Sequence, residues 1–120
     1  MKPQTRPLTD LIVEGIQDRK GRGVTLVDLS HIDTSGASAF VIAQGSSPTQ
    51  VAAIADSVRE YVQEQGGIKP YNYDGYRNAE WIVIDYGHVL VHIFVPEAHD
   101  RYNLEELWAD ARITTVPDLD

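Results

Sequence analysis

Apolar positions along this chain follow two periods, one helical and one extended, and the changes between them divide the chain into elements. Leu8, Leu11, Ile12 and Ile16 recur at helical spacing and predict a first helix capped by Thr9 or Asp10. Arg19 and Lys20 suit its C-terminus, and Gly21 or Gly23 ends it. Val24–Leu29 and Phe40–Gln44 read as strands, separated by the turn-rich Ser30–Ser38. Ser47 is a strong N-cap, Pro48 suits the first helical position and Gln50 completes a capping box. The helix that follows carries Val51, Ile54, Ala55, Val58 and Val62 on one face and ends at Gly66-Gly67. Ile68–Tyr73 reads as an edge strand, because Pro70 cannot donate to a ladder.

The longest patterned stretch is Glu80–Ala111, EWIVIDYGHVLVHIFVPEAHDRYNLEELWADA. Trp81–Asp85 and Val89–Val95 are rich in Val and Ile, and Gly87 can take the positive φ of a tight turn between them. Val89, Val91, Ile93 and Val95 fall on one face of the second strand, and Leu90, His92 and Phe94 on the other. Both faces are largely apolar, so this hairpin is expected inside a sheet covered on both sides. Pro96 stops the strand, a short polar segment follows, and Asn103 with Glu106 caps a last helix from Leu104. Met1–Pro7 and Ile113–Asp120 are polar and are expected to be poorly ordered. The order α, β, β, α, β, β, β, α predicts a mixed sheet flanked by helices, α/β or α+β. The Phe40 strand, the long helix and the next strand could form one right-handed crossover.

With 120 residues and 42% hydrophobic content, the chain suits a single domain over residues 1–120 with one core. The net charge of −8 repels phosphate backbones, so direct DNA binding is disfavoured and a partner with a basic surface is favoured. There is no cysteine, which removes disulfides, thiolate metal sites and Cys nucleophiles. No apolar run approaches the roughly 20 residues that span a bilayer, and the start has no signal-peptide pattern, so a cytoplasmic location is expected.

Few residues suggest chemistry. His88 and His92 are spaced as a helical metal pair would be, but on a strand four residues span roughly 13 Å. One ion with bonds near 2 Å cannot join them, so no metal and no cofactor is expected. Gly45-Ser46-Ser47 leads from a strand into a helix and resembles the Gly-Ser turn of the nucleotidyltransferase fold. That suggests an alternative function as a small Mg-dependent nucleotidyltransferase or nucleotide-binding protein. Such enzymes need paired acids; Asp85 has no partner two residues away, and Asp118-Leu119-Asp120 lies in the tail. Ser46, His92 and Asp85 could be drawn as a triad, without a nucleophile elbow. Tyr86, Tyr102 and Trp108, with Asp85, Glu97, Asp100, Glu105 and Glu106 among them, instead have the make-up of an aromatic, acid-rimmed binding surface.

A Trp-bearing strand ending in Asp, a Gly turn, Val-x-Val-His-x-Phe and then Tyr-x-Leu-Glu-x-Leu-Trp-x-Asp-Ala resemble the Iojap family of ribosomal silencing factors. Trp81, Asp85, Gly87, His92, Phe94, Tyr102, Leu104, Glu105, Leu107 and Trp108 fall on that pattern, as does the turn and helix Gly45–Ala55. The resemblance implies a nucleotidyltransferase-like fold without the catalytic acids, and no enzyme activity. It implies a factor that binds the large ribosomal subunit at ribosomal protein fourteen, blocks the small subunit and represses translation when nutrients fail. It also implies a homodimer when free. Partner contacts are then expected from Asp85, Tyr86, His88, His92, Tyr102, Glu105 and Trp108. His88 stands where the family usually has an acid, and Ser30–Ser38 departs from the family wording.

Overall fold

The structure, a computed structural model, describes residues 7–30, 38–102 and 111–118. Among these residues the helices are α1 (Leu8–Asp18), α2 (Pro48–Gly66) and α3 (Pro96–Tyr102). The strands are β1 (Arg22–Asp28), β2 (Ala39–Gln44), β3 (Asn72–Asp74), β4 (Trp81–Asp85), β5 (Val89–Phe94) and β6 (Arg112–Thr115). They form a six-stranded sheet in the order β3-β4-β5-β2-β1-β6. β2 and β5 run parallel and the other neighbours antiparallel, so the sheet is mixed, as expected. β3 does follow β2 through α2, but it lies beyond β5 and β4 rather than beside β2.

The β4–β5 hairpin lies inside the sheet, and alternation gives it two covered faces. Tyr73, paired with Ile84, meets Arg59 of α2, so Ile82, Ile84, Val91 and Ile93 lie under the helices, all fully buried. The opposite face carries Trp81, His92 and Phe94 beside Phe40 of β2. α1 and α2 pack closely through Gly15: a Cβ there would sit 2.9 Å from Val58 Cα. The Ser57 hydroxyl donates to the Gly15 carbonyl at 2.8 Å inside this contact, and Tyr61 donates to the Glu14 carboxylate.

Helix ends show where the sequence patterns hold. At α2, Ser47 Oγ accepts from Gln50 N at 3.1 Å, and Gly67 closes the helix at φ 66°. α1 begins earlier than its polar residues suggest. Pro7 occupies the cap position without a side-chain bond, its carbonyl accepts from Asp10 N and Leu11 N, and Thr9 and Asp10 lie in the first turn. The left-handed residue after α1 is Lys20, at φ 60°; Gly21 is needed for room against Ile16.

Three further segments differ from expectation. Pro96–Tyr102 is helical, because the proline that stops β5 also suits the first turn of a helix, and His99 N donates to Val95 O at 3.0 Å. The segment read as a third strand is extended only at Asn72–Asp74, beyond Pro70. Arg112–Thr115, which from Ile113 onward read as polar tail, pair with β1 from Asp28 to Thr25. An edge strand exposes its side chains, so polarity did not oppose it. Asp118 is held beyond this strand by Arg22 Nη1 at 3.2 Å and Gly23 N at 3.0 Å, so it is not the free end that the sequence suggested. Asn103, Leu104, Glu106 and Leu107 lie outside the described residues.

Candidate functional site

The β4–β5 turn is built by its own carboxylate. Asp85 Oδ1 accepts from Gly87 N at 2.7 Å, and Gly87 takes φ 89°. Tyr86 N donates to Val89 O at 2.9 Å and closes the hairpin. His88 is exposed at the tip, and its carbonyl receives Ser38 N and Ala39 N at 2.7 and 3.2 Å. Tyr71, which the sequence patterns did not single out, completes this end of the sheet. Its N–H donates to Asp85 O at 2.8 Å, and its ring lies against Gly87, where an added Cβ would be 2.8 Å from Cε2. With 83% of its surface exposed, Tyr71 is a positioned aromatic facing water. Its only sequence signal is an aromatic next to Pro70 that fits neither period.

Tyr86 and His92 sit deeper than a contact residue does. Tyr86 continues the alternation of Ile82 and Ile84, is 5% exposed, and its hydroxyl has no partner among the described residues. Burial pushes that hydroxyl up to about 12. His92, 6% exposed, accepts from Trp81 Nε1 at 3.1 Å and packs edge-on to Phe40, with ring centroids 4.8 Å apart. Burial pushes its pKa down to about 4, so the ring is neutral near neutrality. Nδ1 is the acceptor, so the proton lies on Nε2, which has no partner among the described residues. Trp81 stacks on Phe94 at 5.1 Å, and Phe94 meets His99 edge-on at 5.7 Å.

The remaining sequence-predicted residues divide clearly. Asp85 and His88 come together at the hairpin tip, and Tyr86 supports it from beneath. His92 lies four residues along β5 from His88, in the aromatic layer. Tyr102 ends α3; its side chain, Glu105 and Trp108 lie outside the described residues. No group of three or more side chains that could hold a metal occurs among the described residues.

The Gly-Ser turn lies at the other end of the sheet. Asp85 pairs with Leu90, which pairs with Phe40; Gln44 pairs with Phe94, which pairs with Trp81. Ser46 follows Gln44, so the strands hold Asp85 and Ser46 more than roughly 13 Å apart. Ser46, His92 and Asp85 therefore do not converge. The turn is also filled from within. Gln50 Oε1 accepts from Ser46 N at 2.6 Å and Ser46 Oγ at 2.8 Å. Gln50 Nε2 donates to Arg19 O and Lys20 O, at 3.2 and 3.4 Å, tying the turn to the end of α1.

A second feature missed in the sequence pins β3 to α2. The Arg59 guanidinium lies 3.7 Å from the Tyr73 ring centroid and donates to Tyr76 Oη at 3.3 Å. Tyr76 in turn donates to Asp56 at 2.9 Å. The spacing of Asp56 and Arg59 on α2 was visible, but its two tyrosine partners come from a loop and a short edge strand.

A mixed sheet with helices on it, and an acid and an exposed aromatic gathered at a hairpin tip, defines a small α/β domain that presents a surface. A family model described as ribosomal silencing factor during starvation matches residues 2–120, and the chain belongs to this family. A ribosomal silencing factor of Halalkalibacterium halodurans is 39% identical over 104 residues, covering 87% of each chain. The chloroplastic protein Iojap of Arabidopsis thaliana is 33% identical over 78 residues, covering 65% of this chain and 32% of that protein. The crystal structure of a Chromobacterium violaceum protein superposes with a TM-score of 0.81 at 32% identity, covering 89% of this chain and 88% of that one.

Proposed function

We propose that this chain is a cytoplasmic silencing factor that binds the large ribosomal subunit at ribosomal protein fourteen. Bound there, it occupies space that the small subunit needs, and translation falls when nutrients fail. The family match across residues 2–120 carries this reading. The net charge of −8 supports a basic protein partner, since complementary charge steers such encounters. No catalysis, cofactor or metal is required: the mechanism is obstruction. The free protein pairs as a homodimer.

The contact surface includes Asp85 and His88 at the hairpin tip, Tyr71 beside them, and Tyr102, Glu105 and Trp108 from the following segment. Tyr86 and His92 act beneath that surface by holding the hairpin and the aromatic layer. His88 in place of the family's usual acid removes one charge from the contact. The test is a subunit-joining assay on sucrose gradients. Added protein should leave large and small subunits apart; intact joined particles at saturating protein would refute the reading.

A further inference from the structure

At the end of the sheet opposite the hairpin, a cavity of about 420 Å³ opens between the end of α1 and the Gly45-Ser46 turn. Among the described residues its charged lining is Lys20 and Arg22, both basic, in a chain whose net charge is −8. An oxyanion is already paired with Arg22, one of the lining residues. The Asp118 carboxylate takes Arg22 Nη1 at 3.2 Å with one oxygen and Gly23 N at 3.0 Å with the other. β6 delivers it there, through Val116 N to Val24 O at 2.9 Å. Gly23 turns its amide toward this carboxylate with φ 62°. A side chain there would meet Gln44 Nε2 at 3.1 Å. The wall behind is fixed, because Gln50 is held by Ser46 on one side and by two α1-end carbonyls on the other.

We propose that this cavity binds a phosphate-bearing small molecule, and that Asp118 holds the anion position when the ligand is absent. Arg22 and the Gly23 amide form the anion clamp, with Lys20 adding charge. The Ser46 amide plays no part, being satisfied by Gln50. The Arg22–Asp118 ion pair is exposed, 58% at Arg22 and 34% at Asp118, so water can replace it at little cost. The cavity volume lies within the range of roughly 300 to 1,000 Å³ usual for small-molecule sites. The shared chemistry is a phosphate, free or carried by a nucleotide. The site lies away from the hairpin tip and does not depend on ribosome binding.

Amide NMR of the whole chain at low ionic strength tests the proposal, with inorganic phosphate and a nucleoside monophosphate titrated separately. Saturable shifts should centre on the amides of Arg22 and Gly23, at the clamp. Asp118→Asn should bind phosphate about two- to fivefold tighter, the gain from releasing a weak surface pair. A gain cannot come from unfolding, so this arm stands whatever happens to the others. Lys20→Gln with Arg22→Gln should abolish the shifts while the rest of the spectrum stays dispersed. Tighter binding of the nucleotide would show that the cavity also takes the nucleoside; equal binding would identify a phosphate site alone. The proposal is overturned by the absence of saturable shifts at millimolar ligand, by unchanged or weaker binding in Asp118→Asn, or by binding that survives the double substitution.

Discussion

The Trp81 indole donates its proton to Nδ1 of His92 at 3.1 Å across the β4–β5 pair. This bond fixes the tautomer of a buried imidazole and requires it to stay neutral. The folded pKa is lowered from 6.5 to about 4 by burial, so the unfolded chain binds the proton more tightly. The stabilisation is therefore complete above about pH 6.5 and is lost progressively as pH falls through about 4. Its full size is of order 3 kcal/mol. Urea unfolding across this window should show stability falling with acid in the wild type. His92→Gln, which keeps an acceptor for Trp81 but does not titrate, should lose that slope.

Tyr86→Ala should destabilise the domain by about 3–5 kcal/mol, as for other buried aromatics, before any effect on binding can be read. Tyr86→Phe should be neutral or stabilising by up to about 1 kcal/mol, since the buried hydroxyl has no partner among the described residues. Thermal melts of the two variants give the comparison. A destabilised Tyr86→Phe would mean that the hydroxyl is bonded.

Gly87→Ala forces a side chain into a φ of 89° and against the Tyr71 ring. A loss of about 1–3 kcal/mol is expected. In a Tyr71→Ala background the steric part should vanish and the backbone part remain, so a double-mutant cycle should show a coupling of about 0.5 kcal/mol or more. Strict additivity would mean that the ring does not rest on the turn.

Gly15→Ala places a Cβ 2.9 Å from the Val58 backbone. The helices must separate, at a cost of about 1–3 kcal/mol. Ser57→Ala should cost about 1 kcal/mol through the lost bond to the Gly15 carbonyl. Chemical denaturation measures both.

For the proposed partner surface, Tyr71→Ala should weaken large-subunit binding about tenfold while altering stability by less than about 0.5 kcal/mol. Asp85→Asn keeps an acceptor for Gly87 N and removes only the charge, so affinity should fall most at low salt. Unchanged cosedimentation of both variants with large subunits would move the contact elsewhere.

Much of this fold was legible because local and tertiary demands agree. Ser47-Pro48 and Gly67 end α2 by capping chemistry, and Gly87 marks its turn by the φ it must adopt. Apolar residues on both faces of β5 indicated an interior strand, and every residue from Val91 to Phe94 is buried. What failed did so for particular reasons. Pro96 serves two elements at once, so the helix after it was hidden behind the strand that it ends. β6 has no apolar pattern because an exposed edge needs none. Tyr86 looked like a turn aromatic although its place in the alternation with Ile82 and Ile84 predicts burial. Gln50 was expected to complete its own helix cap and instead reaches one residue further, to Ser46 and the end of α1. No local rule contains that tie, since α1 lies about thirty residues earlier in the chain.

The parallel pairing of β2 with β5 also governs how the chain emerges during its own synthesis. Ala39–Gln44 is an apolar strand whose inner flank stays bare until Val89–Phe94 arrives, after α2, β3 and β4 have been made. A nascent chain halted within α2 therefore carries an open, sticky ribbon that another unfinished copy can zip onto. Truncations ending before Val89 should accumulate as aggregates, whereas those that include β5 should not.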